Sequence, residues 1–138
     1  MRSAAAFSVR EAVLGPGCAD PWSPRTLRAA MGAHFALSVR ETSDLAQALD
    51  AFRGSRICTV PAGGAALHEV DLRGPTAWLF GGEGPGLSTA LRSKADRTVT
   101  IPMTGGSESI NVAVAASICL YEAQRQHLAG QGPPAQKA

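Results

Sequence analysis

Aromatic residues are scarce in this sequence, at 5% of its 138 positions. A core must therefore be packed from Ala, Val, Leu and Ile, and such small side chains suit helices that lie close against a sheet. Hydrophobic residues of all kinds still make up 45% of the chain and charged residues 17%, a balance that excludes a disordered protein. The length fits one compact domain.

Cysteine is also scarce, and long apolar runs are absent. Cys18, Cys58 and Cys119 are odd in number, far apart and without a CxxC pair, which excludes a zinc site and a disulfide framework. Three reduced thiols indicate a cytoplasmic protein that holds no metal. The longest apolar run, over residues 110–121, falls short of the roughly 20 residues that span a bilayer, so we expect no membrane segment.

Lysine occurs at only two positions, Lys94 and Lys137, so arginine supplies nearly all of the positive charge. The planar guanidinium of arginine suits contacts with phosphate groups. The net charge of +2 is nevertheless too small to indicate nucleic-acid binding by itself.

The remaining pattern alternates strands and helices. Short apolar runs predict strands over residues 11–14, 35–39, 57–60, 76–80 and 98–101. Residues 68–72 alternate weakly and are interpreted as a short edge segment. Capping residues and one-sided apolar spacing predict a helix at the start of the chain and four more, which run from Ser23 to Met31, from Thr42 or Ser43 to Phe52, from Ser88 to Lys94 and from Ser109 to about Gln126.

This alternation predicts an α/β fold with a mainly parallel sheet and flanking helices. We expect one domain over residues 1–128, followed by a disordered tail over residues 129–138 that is rich in Gly, Pro, Gln and Ala.

Two glycine-containing loops, residues 81–86 and 102–107, directly follow predicted strands. In open parallel sheets, ligands bind beyond the carboxyl ends of the strands. Neither loop contains the Lys of a P-loop, and the glycine spacing of the first loop does not fit a dinucleotide-binding fingerprint. The loops therefore favour a nucleoside or cation-bearing ligand, held by backbone amides and carbonyls, over a polyphosphate.

Three stretches, taken together, carry a resemblance to a known family. Segment 17–35 contains Gly-Cys-Ala-Asp-Pro-Trp-Ser-Pro and Arg-Ala-Ala-Met-Gly-Ala-His-Phe, and segment 79–87 reads Leu-Phe-Gly-Gly-Glu-Gly-Pro-Gly-Leu. Segment 101–115 reads Ile-Pro-Met-Thr-Gly-Gly-Ser-Glu-Ser-Ile-Asn-Val-Ala-Val-Ala. In this order the stretches resemble the SpoU (TrmH-like) RNA 2′-O-ribose methyltransferases of the SPOUT superfamily, and the resemblance extends to about Tyr121.

The resemblance implies a fold, a cofactor and partners. The fold would be an α/β knot, in which the C-terminal segment threads a loop to make a deep trefoil, an exception to the usual rule against knots. The knot loops would bind S-adenosyl-L-methionine, and the substrate would be the ribose 2′-hydroxyl of an rRNA or a tRNA. Family members are homodimers that pack through their knot regions, so a homodimer is expected here.

The resemblance also implies site residues. The cofactor-binding positions of the family map onto Leu79, Gly81, Glu83, Ile101, Met103 and Ile110, where Ile110 stands in place of the usual Leu. Its catalytic positions map onto Arg2, Glu83, Ser109 and Asn111.

Each proposed catalytic residue has a physical role consistent with methyl transfer. Because a guanidinium stays protonated, Arg2 would stabilise the developing alkoxide and hold the 3′-phosphate rather than act as a base. Glu83 would orient the backbone and partner side chains. Ser109 and Asn111 would place hydrogen bonds at the start of a helix, near substrate or cofactor.

Plainer interpretations remain open. Ser109 could serve only as the N-cap of the last helix, Glu83 as a solvated turn residue and Arg2 as an exposed charge. The family pattern also has a strand and an Asn-x-Gly turn before the residues that match 2–7, and neither occurs in this sequence. Two alternatives to an active enzyme therefore remain. One is a non-catalytic RNA- or cofactor-binding fragment or paralogue of the family. The other is a nucleotide-binding α/β module of another class, which the glycine spacing of the loops disfavours.

Overall fold

The computed structural model describes residues 1–82, 84, 86–105 and 109–130. Its helices are α1 (Arg2–Ala6), α2 (Pro24–Ala30), α3 (Leu45–Ala51), α4 (Thr89–Arg92) and α5 (Val112–Gly130). Its strands are β1 (Glu11–Leu14), β2 (Ser38–Glu41), β3 (Ser55–Thr59), β4 (Ala65–Ala66), β5 (Thr76–Leu79) and β6 (Arg97–Thr100). Two 3-10 helices, Ala33–Phe35 and Leu67–Glu69, complete the set. The alternation confirms the predicted α/β class.

The strands form two sheets in the described residues. Strands β1 and β2 pair with each other, and the other four lie in the order β4-β6-β3-β5. Every pairing between named strands is parallel, which confirms the predicted mainly parallel sheet. At the centre, Cys58 of β3 lies level with Leu79 of β5 on one side and Thr98 of β6 on the other. Strands β5 and β6 therefore end at the same edge of the sheet.

A single apolar cluster forms the core of the larger sheet. Its buried members come from β3, β6, the second 3-10 helix with the loop after it, and α5, and are Ile57, Leu67, Val70, Leu72, Val99 and Cys119. Trp78, Phe80 and Ile101 pack against this cluster and are partly buried. As the composition predicts, the buried members of this cluster are aliphatic side chains, with the Cys119 thiol as the one exception.

The cysteines divide into two buried thiols and one exposed thiol. Cys58 and Cys119 are buried and Cys18 is exposed, and all three are unpaired. Burial raises the pKa of the Cys119 thiol to about 12 and also raises the pKa of the Cys58 thiol. Both buried thiols therefore stay protonated at neutral pH.

Helix α5 is attached to the rest of the fold at both ends. Near its carboxyl end, the side chain of Gln126 accepts a hydrogen bond from Leu72 N at 2.9 Å and donates one to Val70 O at 3.0 Å. In its first half, Ser117 Oγ lies 2.6 Å from Ser3 Oγ of α1. The Phe7 and Tyr121 rings meet edge to face with centroids 6.0 Å apart, so α1 packs on α5.

The amino-terminal edge of the larger sheet is held by charged residues. Asp96, just before β6, accepts hydrogen bonds from Arg56 N at 2.8 Å and from its Nη2 at 2.6 Å. Lys94 Nζ contacts both carboxylate oxygens of Asp50, at 2.7 and 2.6 Å, which connects the end of α3 to the segment after α4. The edge opposite the glycine loops is therefore fixed by ion pairs.

Two predicted element positions are wrong. The predicted strand over 35–39 begins later, at Ser38, because Ala33–Phe35 forms a 3-10 helix after the left-handed residues Met31 and Gly32. The predicted edge segment over residues 68–72 is not a strand. The edge strand is instead the shorter β4, which ends at Ala66.

Two helix starts also differ from the prediction. Helix α3 is capped by Asp44, whose Oδ1 accepts from Gln47 N at 2.9 Å, rather than by Thr42 or Ser43. The last helix begins at Val112 rather than Ser109 and runs to Gly130 rather than ending near Gln126. In both places several capping residues stand close together, and the later one makes the cap.

Within the described residues, no helix combines the length and apolarity needed to cross a membrane.

Candidate functional site

The segments that follow β5 and β6 begin at the carboxyl edge of the larger sheet. Strands β5 and β6 flank β3 and run parallel to it. Two strands that flank a third lie about 10 Å apart, a distance that a nucleoside can bridge. The segments that follow Leu79 and Thr100 therefore begin on either side of the end of β3.

The first loop turns back on itself immediately after β5. A side chain at position 81 would collide with the backbone of Gly86 and Leu87. Gly86 N donates to Gly82 O at 3.1 Å, and Gly86 takes the left-handed φ of +66° that favours glycine. At Gly82 and Gly84 an added side chain would meet no atom within 4 Å. The described part of this loop thus presents bare backbone at the edge of the sheet.

The predicted cofactor residues around these loops differ in exposure. Leu79 is buried at 7% exposure, so its side chain lies within the fold beneath the loop. Ile101 packs against the core cluster, and Met103 is 36% exposed. Ile110, before α5, is half-buried. Ile101 and Ile110 are therefore only partly covered by the fold, whereas Leu79 is covered almost completely.

Asn111 forms the start of α5. Its Oδ1 accepts from Ala113 N at 2.8 Å and from Val114 N at 3.4 Å, and its carbonyl accepts from Ala115 N at 2.9 Å. These bonds satisfy donors of the first helical turn that lack partners within the helix. Asn111 therefore acts as the helix cap, whereas the plainer interpretation predicted that role for Ser109. Ser109 is exposed two residues earlier.

Arg2 is the first residue of α1 and is exposed. Helix α1 packs on the first half of α5 through Ser3 and Phe7, so Arg2 belongs to the surface beside that helix. Among the described residues, no ion pair involves Arg2. The fourth predicted catalytic residue, Glu83, lies outside the described residues.

Two of the cavities formed by the described residues were not predicted by any single sequence motif. One, of about 280 Å³, lies at the carboxyl ends of β1 and β2 and is lined by Leu14, Gly15, Pro16, Glu41, Thr42 and Ser43. The other, of about 200 Å³, lies between the second loop and α5 and is lined by Leu67, His68, Ile101, Pro102, Ile118, Tyr121 and Glu122. The positions of strand ends signal the first cavity, since ligands of parallel sheets bind there.

Within the described residues, no cluster of His, Cys, Asp or Glu could hold a metal ion.

These features define an α/β protein of parallel strands in which two glycine-containing segments follow strands that end at the same edge of the larger sheet. The SpoU rRNA Methylase family model matches residues 1–121, and the chain belongs to that family.

Individual relatives agree with this assignment. The chain is 38% identical over 136 residues to an uncharacterized tRNA/rRNA methyltransferase from Synechocystis sp., covering 96% of the chain and 50% of the relative. It is 32% identical over 139 residues to a 23S rRNA (uridine(2479)-2′-O)-methyltransferase from Streptomyces viridochromogenes, covering 95% of the chain and 48% of the relative. The chain therefore spans about half the length of these curated relatives.

A solved structure shares the fold. The SpoU methyltransferase AviRb from Streptomyces viridochromogenes, in complex with the cofactor AdoMet, superposes with a TM-score of 0.86 at 32% identity. The match covers 94% of this chain and 54% of that one.

Proposed function

We propose that this chain forms the cofactor-binding and methyl-transfer part of an S-adenosyl-L-methionine-dependent RNA methyltransferase, which acts on a ribose 2′-hydroxyl of rRNA or tRNA. The observation that carries this proposal is the close packing of Gly81 against Gly86 and Leu87, in a segment that leaves β5 at the edge of the parallel sheet where β6 also ends. Membership in the SpoU family over residues 1–121 supports it, as does the 23S rRNA 2′-O-methyltransferase activity for which a relative is named.

The composition of the loops fits the cofactor. Because Gly82 and Gly84 carry no side chain, backbone donors and acceptors are accessible to the adenosine and amino-acid groups of a nucleoside derivative. We assign Leu79, Gly81, Glu83, Ile101, Met103 and Ile110 to the cofactor, with half-buried Ile101 and Ile110 as apolar contacts. Leu79 would contribute through its backbone, since its side chain is buried.

Bound S-adenosyl-L-methionine would supply the electrophilic methyl group. The remaining work falls to alignment and electrostatics: the site must hold the 2′-oxygen in line with that methyl and stabilise negative charge on the oxygen. We assign charge stabilisation and 3′-phosphate binding to Arg2, whose guanidinium can donate two parallel hydrogen bonds. Glu83, Ser109 and Asn111 would orient the substrate and the loops.

We also propose a C-terminal trefoil knot and a homodimer formed through it. Strand β6 lies between β3 and β4, so the chain after β5 returns into the sheet before it forms α5. On α5, Val114, Ile118 and Tyr121 are 50%, 37% and 57% exposed at helical spacings of four and three residues. This apolar stripe borders the cavity beside Ile101 and is a suitable face for a second copy. An RNA substrate and reduced thiols favour a cytoplasmic location.

Calorimetric titration with S-adenosyl-L-methionine tests the proposal. We expect saturable binding by this chain and at least a roughly tenfold loss of affinity in Gly81→Ala, because the new Cβ would displace the backbone of Gly86 and Leu87. Gly74→Ala is the matched control, since a Cβ there meets no atom within 4 Å. Absence of cofactor binding by the unaltered chain would contradict the proposal.

Methyl transfer is measured separately, with labelled cofactor and total rRNA or tRNA. Incorporation of label into the ribose 2′-oxygen is the expected result. Cofactor binding without incorporation would favour the alternative function, a non-catalytic RNA- or cofactor-binding member of the family.

A further inference from the structure

A second surface, outside the methyl-transfer loops, combines exposed rings with arginines. It consists of Trp22, Arg25, Arg28, Met31 and Phe35, and is called the α2 surface below. Trp22 is 53% exposed, Met31 74% and Phe35 97%. Isolated apolar side chains are common on protein surfaces, but two large exposed rings within 14 positions of one chain segment call for a partner.

The fold holds Trp22 in place. The Trp22 amide donates to Asp20 Oδ1 at 2.8 Å, and the indole lies against the His34 ring with centroids 4.9 Å apart. His34 Nε2 is 2.8 Å from Pro21 O, and Pro21 is buried. One face of the indole is therefore supported by the protein while about half of the side chain remains open to solvent.

Phe35 is presented by a sharp change of chain direction. Met31 adopts φ 49° and ψ 45° at the end of α2, and Gly32 follows with φ 84°. A left-handed conformation is uncommon for a residue other than glycine. The following 3-10 helix carries Phe35, so the ring is exposed on an ordered element that contacts α2.

The charge of the α2 surface is positive. Residues 21–39 contain Arg25 and Arg28 and no carboxylate. Both arginines are exposed, and in the part of the chain that the structure describes neither forms an ion pair. The neighbouring carboxylate, Asp20, is engaged with the backbone of Trp22.

We propose that the α2 surface binds single-stranded RNA, with bases stacked on Trp22 and Phe35 and phosphates held by Arg25 and Arg28. Exposed rings interleaved with unpaired arginines match the way proteins bind single strands, because every base has a face that can stack and every linkage carries a negative charge. An apolar protein partner would not require the arginines. The inference rests on the proposed function and assigns part of the RNA contact to the half of the molecule without the cofactor loops.

Fluorescence anisotropy with a labelled single-stranded RNA of mixed sequence, about 12 nucleotides long, tests the inference. We expect Trp22→Ala and Phe35→Ala each to weaken binding roughly tenfold, the usual scale for loss of one stacked base. Leu128→Ala is the matched apolar control, because Leu128 is 59% exposed and lies at the far end of α5. Its affinity should equal that of the unaltered chain.

Salt dependence tests the arginines. Neutralising both, as Arg25→Gln with Arg28→Gln, should reduce the slope of log affinity against log salt by about 1.4, because each phosphate contact on a single strand contributes about 0.7. Arg53→Gln, an exposed arginine outside the α2 surface, should leave the slope unchanged.

The outcomes separate this inference from the proposed function. RNA binding that is equal in the unaltered chain and all α2-surface variants overturns the inference and leaves the methyltransferase proposal standing. No RNA binding by a chain that still binds S-adenosyl-L-methionine counts against both. Sedimentation that shows self-association abolished by Trp22→Ala and Phe35→Ala, with RNA affinity unchanged, would identify the surface as an interface between copies and also overturn the inference.

Discussion

The two halves of the molecule are built differently. Residues 55–130 contain the four-stranded sheet and every buried member of the core cluster, and they carry both glycine loops. Residues 2–51 contain a two-stranded sheet, and their buried hydrophobic residues are Ala30, Ala33 and Leu37. The half assigned to the cofactor thus has its own hydrophobic core, whereas the other half buries fewer and mostly smaller apolar side chains.

The largest expected effect separates the halves by stability. Ile57→Ala, at a fully buried position of the central strand, should lower the free energy of unfolding by about 2–5 kcal/mol through lost burial and a cavity. Leu27→Ala, at a position 43% exposed in the other half, should change it by no more than about 0.5 kcal/mol. Urea denaturation followed by circular dichroism measures both. Equal losses would mean that the amino-terminal half contributes a core of its own.

An intermediate effect concerns the bond between α5 and the loop before β5. Gln126→Leu should cost about 1–3 kcal/mol, because Leu72 N and Val70 O lose their side-chain partner. Gln124→Leu, on the same helix, removes no hydrogen bond of the described residues and is the control. Hydrogen exchange at the Leu72 amide should increase only in the first variant, and unchanged protection there would show that α5 is held by other contacts.

The smallest effect is acid sensitivity at two ion pairs of the carboxyl-terminal half. The hydrogen bond from Arg56 lowers the pKa of Asp96 from 3.8 to about 2, and that from Arg125 lowers the pKa of Glu122 from 4.5 to about 2. Because both folded-state pKa values lie below the ordinary ones, this stabilisation is present at neutral pH and is lost as the pH falls from about 4.5 to 2.

Urea midpoints measured between pH 7 and pH 2 should therefore decline over the acid range, and less steeply in Asp96→Asn. Glu41→Gln, at an exposed position in the other half, is the control and should follow the unaltered chain. An Asp96→Asn profile that matches that of the unaltered chain would show that the Arg56–Asp96 ion pair does not contribute to the acid sensitivity.

Local signals in the sequence sufficed where one residue had no competitor. Ser23 and Ser88 cap α2 and α4 as predicted, with bonds of 3.3 Å to Thr26 N and Leu91 N. These local signals failed where several capping residues follow one another, as at Asp44, which stands directly after Thr42 and Ser43. Tertiary packing decides which of such neighbouring residues makes the cap. The local signals also failed at Phe35, whose apolar character predicts a buried strand although the residue is almost fully exposed.

The candidate site, like the fold, was predictable from the sequence only in part. The glycine loops were predictable, because parallel strands place their carboxyl ends at one edge. The closeness of Gly81 to Gly86 and Leu87 depends on how the loop returns, which spacing alone does not specify. The bond from Gln126 to Leu72 joins residues 54 positions apart and leaves no periodic signal in the sequence. The placement of Arg2 and Glu83 in catalysis remains a prediction.

The difference in exposure among the three thiols allows selective labelling of the unaltered chain at Cys18. A thiolate is the form that reacts with alkylating dyes, so Cys58 and Cys119, buried and with raised pKa values, should react slowly. Cys18 is exposed and stands four positions before Trp22. A maleimide fluorophore should therefore attach at a single site without any substitution, and energy transfer from it to a dye on RNA would report distances directly at the α2 surface.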